Sequence, residues 1–571
     1  EFELPFKSKK ENGHETGSDR NDEWIPDLKI SEPSSEEEEE NLSNQSSESD
    51  EYQTGSETET ATEDGDQNGA GSTTETASED PWPEMRRRHS ERVRKAPDRY
   101  GQWANFSIEE PQTFKDALKS ENKDSWISAM NKEIESLKKN NVWTLVPKPK
   151  DSKVIQTRWL YKVKNDSKGQ PNVFKARLVA RGYMQERKDT EDVFSPVIRY
   201  ETIRMLCAIV AQYDFDMQQI DLVTAFLNGK IIGDVYVQQP EGYEDPKRKD
   251  MVCKLHRSLY GLRESPKCWN LELSNFLKSL SFDESRSDPC LFVKGKGVDE
   301  KVFIAVYVDD MLLAAKDKGE LKQIKEKIAF RFKSKDLGRA QDFLGVQIRF
   351  GNGQVHLSQG QYARQVLEKA GMAECNATPT PATTSTKLVP HQGTPERQEE
   401  FRSTVGALLY LSTRTRPDIA FIVNVLAKFV SNPGPEHWTT VKRLLRYISG
   451  TADLGIQFEK GESKDLFGFC DADHAGDLSD RKSTTGYVFI MSQGPVIWRS
   501  TKQSMVSLST TESETIALSQ ASQEVVWIRR IGQELGLKVK NPTVIFEDNL
   551  PSIGLLKNGK VSQRSKHIDI R

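Results

Sequence analysis

The sequence predicts a mixed α/β (α+β) protein of several domains, and three observations carry that expectation. First, Phe303-Ile304-Ala305-Val306-Tyr307-Val308-Asp309-Asp310-Met311-Leu312-Leu313-Ala314 passes from one apolar stretch through two aspartates into another. That is the pattern of a buried β-hairpin tipped with carboxylates. Second, short strand-like and helix-like stretches alternate from Trp159 onward. Third, from about residue 464 the order is strand, hairpin, long helix, strand, helix. A length of 571 residues leaves room for roughly three domains.

Charge is divided along the chain. The formal net charge of −5 hides an acidic tail: residues 1–80 hold 25 acidic and 5 basic side chains, and the remainder holds 61 and 76. The tail is rich in Glu, Ser, Thr, Gly and Asn, with too little apolar surface to offset the entropy of ordering, and it reads as disordered. The basic body points to a polyanionic partner, a nucleic acid or a membrane surface alike. Six scattered cysteines without a Cys-x-x-Cys pair speak against a zinc site or a disulfide framework and fit a reducing compartment. With no signal-peptide pattern and no long apolar run, the chain is expected to be soluble and intracellular.

The elements follow in order. A basic cluster, Arg86-Arg87-Arg88 with Arg92, Arg94 and Lys95, reads as a solvated linker or as a nucleic-acid contact. Folding is expected from about Phe114, where Trp126, Met130, Ile134 and Leu137 recur at helical spacing. Tyr161 to Lys164, a turn at Asp166 to Gly169, and Phe174 to Ala180 read as a hairpin. A helix over about 202–213 precedes a strand that ends at Asp221. Residues 376–400, rich in Thr and Pro, read as a loop, followed by helices at about 401–414, 417–430 and 435–449.

Two adjacent aspartates repel each other unless a cation lies between them, and oxygen ligands of this kind suit Mg²⁺. An Asp-Asp turn is the plainer reading of the dipeptide alone. With Asp221 the carboxylates number three, which suits a site for nucleotidyl transfer, where two ions serve the attacking and the leaving oxygen.

Several stretches, in this order and spacing, resemble the reverse transcriptase of copia-type long-terminal-repeat retrotransposons. They are Trp126-Ile127-Ser128-Ala129-Met130-Asn131-Lys132-Glu133, Phe174-Lys175-Ala176-Arg177-Leu178-Val179-Ala180-Arg181-Gly182, Gln219-Ile220-Asp221-Leu222-Val223-Thr224-Ala225-Phe226-Leu227-Asn228-Gly229, Leu259-Tyr260-Gly261-Leu262 and Tyr307-Val308-Asp309-Asp310. The resemblance implies a right-hand polymerase of fingers, palm and thumb, with Asp221, Asp309 and Asp310 as metal ligands. It places Phe226 beneath the incoming sugar, where a ring leaves no room for a 2′-hydroxyl; a core aromatic is the alternative. It gives Lys175, Arg177 and Arg181 a contact with triphosphate or template, makes Tyr260-Gly261 part of the nucleotide pocket, and makes Phe343-Leu344-Gly345 the primer-grip turn. Where the family usually has Gln before Ser or Ala, this chain has Glu264-Ser265, a carboxylate expected to repel a triphosphate.

A second acidic set lies in the last unit. Gly468-Phe469-Cys470-Asp471-Ala472-Asp473 ends a strand, Ser509-Thr510-Thr511-Glu512-Ser513-Glu514 opens a helix, and Val544-Ile545-Phe546 leads to Asp548. Thr511-x-x-Glu514 also fits a capping box, but Glu514 heads the apolar stripe Ala517, Leu518, Ala521, Val525 and Ile528. The order resembles the ribonuclease H domain that follows copia-type reverse transcriptases. By that resemblance Asp471, Glu514, Asp548 and Asp569 hold two metals, with His567 nearby. Thr515 stands where the family usually has Tyr, and His474 where it usually has Trp.

The resemblance implies this organisation: 1–85 a disordered acidic linker, 86–112 a basic linker, 113–350 fingers and palm, 351–462 thumb and connection, and 463–571 a ribonuclease H-like domain cut short at Arg571. The whole would be the C-terminal part of a Pol polyprotein. Implied cofactors are two Mg²⁺ per active site, with Mn²⁺ as a substitute. Implied partners are an RNA template, a DNA/RNA hybrid, a primer (a host tRNA), deoxynucleoside triphosphates and other Pol and Gag products, with no membrane. The implied setting is a virus-like particle in the cytoplasm, or the nucleus. A nucleic-acid-binding relic without catalysis is the competing expectation.

Overall fold

The computed structural model describes residues 110–150, 152–165, 171–185, 193–383, 387–461, 466–538 and 541–558. The expected acidic tail, nearly all of the basic linker, and Asp569 with His567 lie outside the described residues. The architecture is mixed helix and sheet, as expected.

The N-terminal part is built on helix Lys123–Lys139, which buries Trp126, Ala129, Met130, Ile134 and Leu137 on one face. That face lies against the hairpin Thr157–Asn165/Pro171–Ala180, with the fully buried Trp126 ring edge-on to Tyr161 at 5.2 Å and Phe174 at 4.8 Å. Removing that ring would cost about 3–5 kcal/mol. Along the second strand Ala176, Leu178 and Ala180 point into the core while Lys175 and Arg177 point out, the period of two that a half-buried strand requires.

The central element is an antiparallel six-stranded sheet. Its strand order is Ser334–Arg339, Asp216–Leu222, Asp310–Ala315, Val302–Tyr307, Leu291–Lys294, Asp283–Glu284. Helices Ser265–Ser279 and Lys318–Arg331 cover one face through Trp269, Leu273, Leu277, Leu321, Ile324 and Ile328. Helix Tyr200–Tyr213 covers the other. It is buried almost all round, because its far side meets two further sheets.

The first of these contains Asp342–Phe343, Val346–Gly351, Gln354–Ser358 and Gly455–Glu459. The division expected at 350/351 therefore falls inside a hairpin whose strands pair from Gln347↔Ser358 to Gly351↔Gln354. Helices Gly360–Lys369, Gln398–Arg414, Ala420–Ala427 and Pro435–Gly450 form their own apolar core between two strands of this sheet.

The second is the C-terminal sheet, in the order Gly494–Lys502, Thr484–Met491, Phe467–Asp473, Val544–Phe546, with the last pair parallel. Helix Thr510–Glu534 lies across it through Ala517, Ala521, Val525 and Ile528. Among the described residues no helix is long and apolar enough to cross a membrane.

Candidate active sites

The hairpin Val302–Tyr307/Asp310–Ala315 closes through a two-residue turn, Val308-Asp309, since Tyr307 pairs with Asp310. Val308, a β-branched residue, sits at φ 56°. Its carbonyl accepts from buried Trp269 Nε1 at 2.6 Å, and the Asp309 carbonyl accepts from Leu222 N at 2.8 Å. These two bonds tie the strained turn to helix Ser265–Ser279 and to the end of the neighbouring strand. Register then sets Asp310 directly opposite Asp221. Burial raises the Asp309 carboxyl above the ordinary range; its own backbone N–H opposes this, Asp221 adds to it, and Arg177 and Lys175 pull it back.

Those two cations come from the N-terminal hairpin. The Arg177 guanidinium lies 5.1 Å from the centroid of the Tyr260 ring, and Tyr260 meets Phe226 edge-on at 5.4 Å. Burial pushes the Tyr260 hydroxyl up to about 12, with Glu133, Asp309 and Asp221 adding to it against Arg177. Phe226 is half-buried in the short turn Ala225–Asn228, its carbonyl accepting from Ser258 Oγ. It therefore touches the core and the site together. Gly261 has φ +88°, and a Cβ there would lie 2.2 Å from the Ala180 carbonyl oxygen; Tyr260 O accepts from Ala180 N at 2.7 Å. So Lys175, Arg177, Phe226, Tyr260 and Gly261 gather beside the aspartates. Arg181 is turned to the framework instead, its Nη1 donating to Gln156 Oε1 at 3.0 Å.

Glu264 does not stand open to the site. Gln185 Nε2 donates to its two oxygens at 3.1 and 2.8 Å, while Gln185 Oε1 accepts from Arg263 N at 2.9 Å. Nothing in the sequence pairs residues 79 positions apart, so this clamp went unseen. The Phe343-Leu344-Gly345 segment is a tight turn, with positive φ at Leu344 (51°) and Gly345 (75°) and Phe343 buried. Positive φ at both central residues is the hairpin-favoured type I′ geometry.

In the C-terminal unit, ligand atoms of Asp471, Glu514 and Asp548 all lie within 4.8 Å of one another. The helix is capped by Ser509, whose side chain accepts from Glu512 N, while Glu512 Oε2 accepts from Leu508 N. The cap is thus Ser509, with Glu512 reaching back to the residue before it, and Glu514 is left to face the sheet. Glu514 is 6% exposed, and its Oε2 has no hydrogen-bond partner. Burial pushes its carboxyl up to about 8, with Glu547, Asp471 and Asp548 adding to it against the Ala472 N–H.

An orphaned buried carboxylate oxygen among three other acids fits a hard divalent cation. Glu547 is a member that sequence reading missed. It accepts from Cys470 Sγ at 3.0 Å and from Asn549 N at 3.1 Å, and its place beside Asp548 was the available signal. Among the described residues this is the acidic set that converges so closely. Asp221 and Asp310 stand at paired strand ends with Asp309 in the adjoining turn, and these three do not converge as closely.

Residues 140–384 match the family described as reverse transcriptase (RNA-dependent DNA polymerase). The chain is 39% identical over 497 residues to the retrovirus-related Pol polyprotein from transposon TNT 1-94 of Nicotiana tabacum, covering 85% of this chain and 37% of that protein. Identity to the Pol polyprotein from transposon RE2 of Arabidopsis thaliana is 37% over 489 residues, covering 85% and 33%. The putative transposon Ty5-1 protein of Saccharomyces cerevisiae is 31% identical over 310 residues, covering 54% of this chain and 100% of that protein. A solved foamy viral protease-reverse transcriptase, in complex with double-stranded DNA, covers 77% of this chain and 65% of that one at 15% identity and a TM-score of 0.44, too distant to carry an argument. The chain spans about a third of the length of the two plant Pol polyproteins. With the yeast relative matched from end to end, this chain belongs to the copia-type retrotransposon Pol polyproteins and carries their reverse transcriptase region.

Proposed function

We propose that the chain is an RNA-directed DNA polymerase that extends a primer with deoxynucleotides on an RNA and then a DNA template. The six-stranded sheet would be the palm, the N-terminal hairpin the fingers, and the helices between Gly360 and Gly450 the thumb. The observation that carries this reading is the meeting of Asp221 and Asp309 with Arg177, Lys175, Tyr260 and Phe226, drawn from four separate stretches of sequence, with Asp310 in register opposite Asp221.

Asp221 and Asp309, with Asp310 beside them, would hold two Mg²⁺ ions, which supply charge stabilisation to the attacking 3′ oxygen and the departing pyrophosphate. Arg177 and Lys175 place positive charge where a triphosphate would arrive, and the Tyr260-Gly261 segment forms the floor. The Phe226 ring would exclude a ribose 2′-hydroxyl. A hybrid would be held largely through its backbone, so binding is expected to fall steeply with salt.

The cluster Asp471, Glu514 and Asp548 supports a second activity, hydrolysis of the RNA strand in a hybrid, with Mg²⁺ again the ion. Asp569, the expected fourth acid, would complete that set. A host tRNA primer and Gag and Pol partners within a virus-like particle go with this reading. The test is deoxynucleotide incorporation on a primed RNA template with Mg²⁺, beside Asp309→Asn. Synthesis by the unaltered protein alone is expected. Equal synthesis by the variant would refute the metal assignment, and tight hybrid binding without synthesis would leave a relic.

A further inference from the structure

A single carbonyl in the Leu344-Gly345 turn receives two phenolic hydroxyls. Tyr200 Oη donates to Leu344 O at 2.7 Å from the helix beneath the palm sheet, and Tyr410 Oη donates to the same oxygen at 2.7 Å from helix Gln398–Arg414. Tyr410 also explains the glycine, since a Cβ on Gly345 would lie 2.4 Å from its hydroxyl. Behind the tyrosines the Arg414 guanidinium stacks 3.6 Å from the Tyr200 ring centroid.

The chain of contacts continues through Arg204, one turn along the helix from Tyr200 and only 1% exposed. Its Nη1 donates to Thr413 O at 2.9 Å and Arg414 O at 3.3 Å, terminating the thumb helix; its Nε donates to Val496 O at 2.6 Å in the C-terminal sheet. Its Nη2 meets Glu201 Oε1 at 3.0 Å, and its face lies 4.0 Å from the Trp498 ring. Trp498 in turn donates to Ser412 O at 2.8 Å. Burying a guanidinium is costly unless every donor is used and the geometry is fixed, so this junction has little freedom to slide.

We propose that Tyr200, Tyr410 and Arg204 are positioning residues that lock the primer-grip turn to the ribonuclease-type sheet, fixing where a hybrid's primer terminus sits relative to Asp471, Glu514 and Asp548. This rests on the polymerase reading above. The open side of the turn supports it. There a cavity of about 370 Å³ is lined by Asp342, Gln347, Gln361, Gln365 and Tyr362. A lining of amides, aromatic rings and one carboxylate, with no cation, suits the sugars and base edges of a duplex better than its phosphates.

The experiment uses the full chain, a primed RNA–DNA hybrid with a labelled RNA strand, hydroxyl-radical footprinting and steady-state incorporation. Tyr200→Phe and Tyr410→Phe each leave one donor on Leu344 O, and each should stay within about twofold of the parent. The double variant strands that carbonyl, and its kcat should fall about tenfold or more with the nucleotide KM unchanged, since small misplacements of reacting groups carry such factors. Its footprint edge at the C-terminal sheet should shift or blur relative to the primer terminus. Arg204→Lys keeps the charge and loses the fork, so it should leave the primer edge in place and blur the far edge.

Small additive effects in the double variant, or an unmoved far edge in folded Arg204→Lys, would overturn the proposal while leaving the polymerase reading intact. An unaltered protein that neither extends nor protects the primer would overturn both.

Discussion

Asp221 stands in register between Asp310 on one neighbouring strand and Lys335 on the other. One cross-strand partner repels it and the other attracts it. Like charges directly opposite destabilise an antiparallel pair, and a bound divalent cation would reverse that sign.

Replacing Asp221 by Asn should therefore separate stability from activity. In chelator the variant is expected to stay within about 1 kcal/mol of the parent, because the repulsion from Asp310 and the attraction to Lys335 are lost together. Incorporation should fall to background. A thermal melt with and without Mg²⁺, beside the primer-extension assay, checks both halves.

Phe226→Ala should admit ribonucleotides, and it should also cost some stability, because the edge contact with Tyr260 is worth about 0.5–1.5 kcal/mol beyond burial. The ratio of kcat/KM for deoxy- against ribonucleotide is the measurement. An unchanged ratio would reduce Phe226 to a core aromatic.

The Gln185–Glu264 clamp predicts a coupling between two substitutions. Gln185→Ala frees a carboxylate near the nucleotide pocket and should raise the KM for deoxynucleotides several-fold, while Gln185→Ala with Glu264→Gln should restore it. A double-mutant cycle on KM reads the coupling directly.

Glu514 gives a pH prediction. Its folded value of about 8 lies above the ordinary 4.5, so the folded protein binds the extra proton between those limits. In chelator, stability should then decline as pH rises from about 4.5 to 8 and level off beyond, a loss of at most about 5 kcal/mol. Mg²⁺ should abolish the decline, and Glu514→Gln should lack it. Melting temperatures at pH 5, 7 and 9 decide it.

Gly261→Ala should be among the most damaging single changes, since the new Cβ would lie 2.2 Å from a backbone oxygen at φ +88°. A loss of more than about 2 kcal/mol is expected. Denaturant melts would show it, and a near-neutral result would mean that the two segments can part.

Local pattern was enough for the helix over Trp126–Leu137, the aspartate hairpin and the last unit, because each follows from apolar spacing within about a dozen residues. The shared register of Asp221 and Asp310 could be expected from strand ends alone. What stayed hidden depends on partners far apart in sequence: Trp269 on the Val308 carbonyl, Gln185 on Glu264, and two tyrosines on Leu344. Arg204 did leave a sign. A lone cation within Thr202-Ile203-Arg204-Met205-Leu206-Cys207-Ala208 must find acceptors if the helix is buried; Glu201 is a local one, and nothing local names the backbone carbonyls that take the other donors. The boundary set at 350/351 misplaced a hairpin for the same reason, since its outer partner strand, Gly455–Glu459, lies about a hundred residues on.

The burial of helix Tyr200–Tyr213 has a consequence for how the chain is made. Arg204 and its acceptor Val496 are separated by 292 residues. At about 5–20 residues per second, the ribosome delivers strand Gly494–Lys502 roughly 15–60 s after the helix has emerged. Throughout that interval an apolar helix, its Arg204 paired only with Glu201, waits for a cover that has not yet been synthesised. Nascent chains of this protein should therefore engage chaperones at this helix, and premature termination before Val496 should yield aggregates rather than a smaller working polymerase.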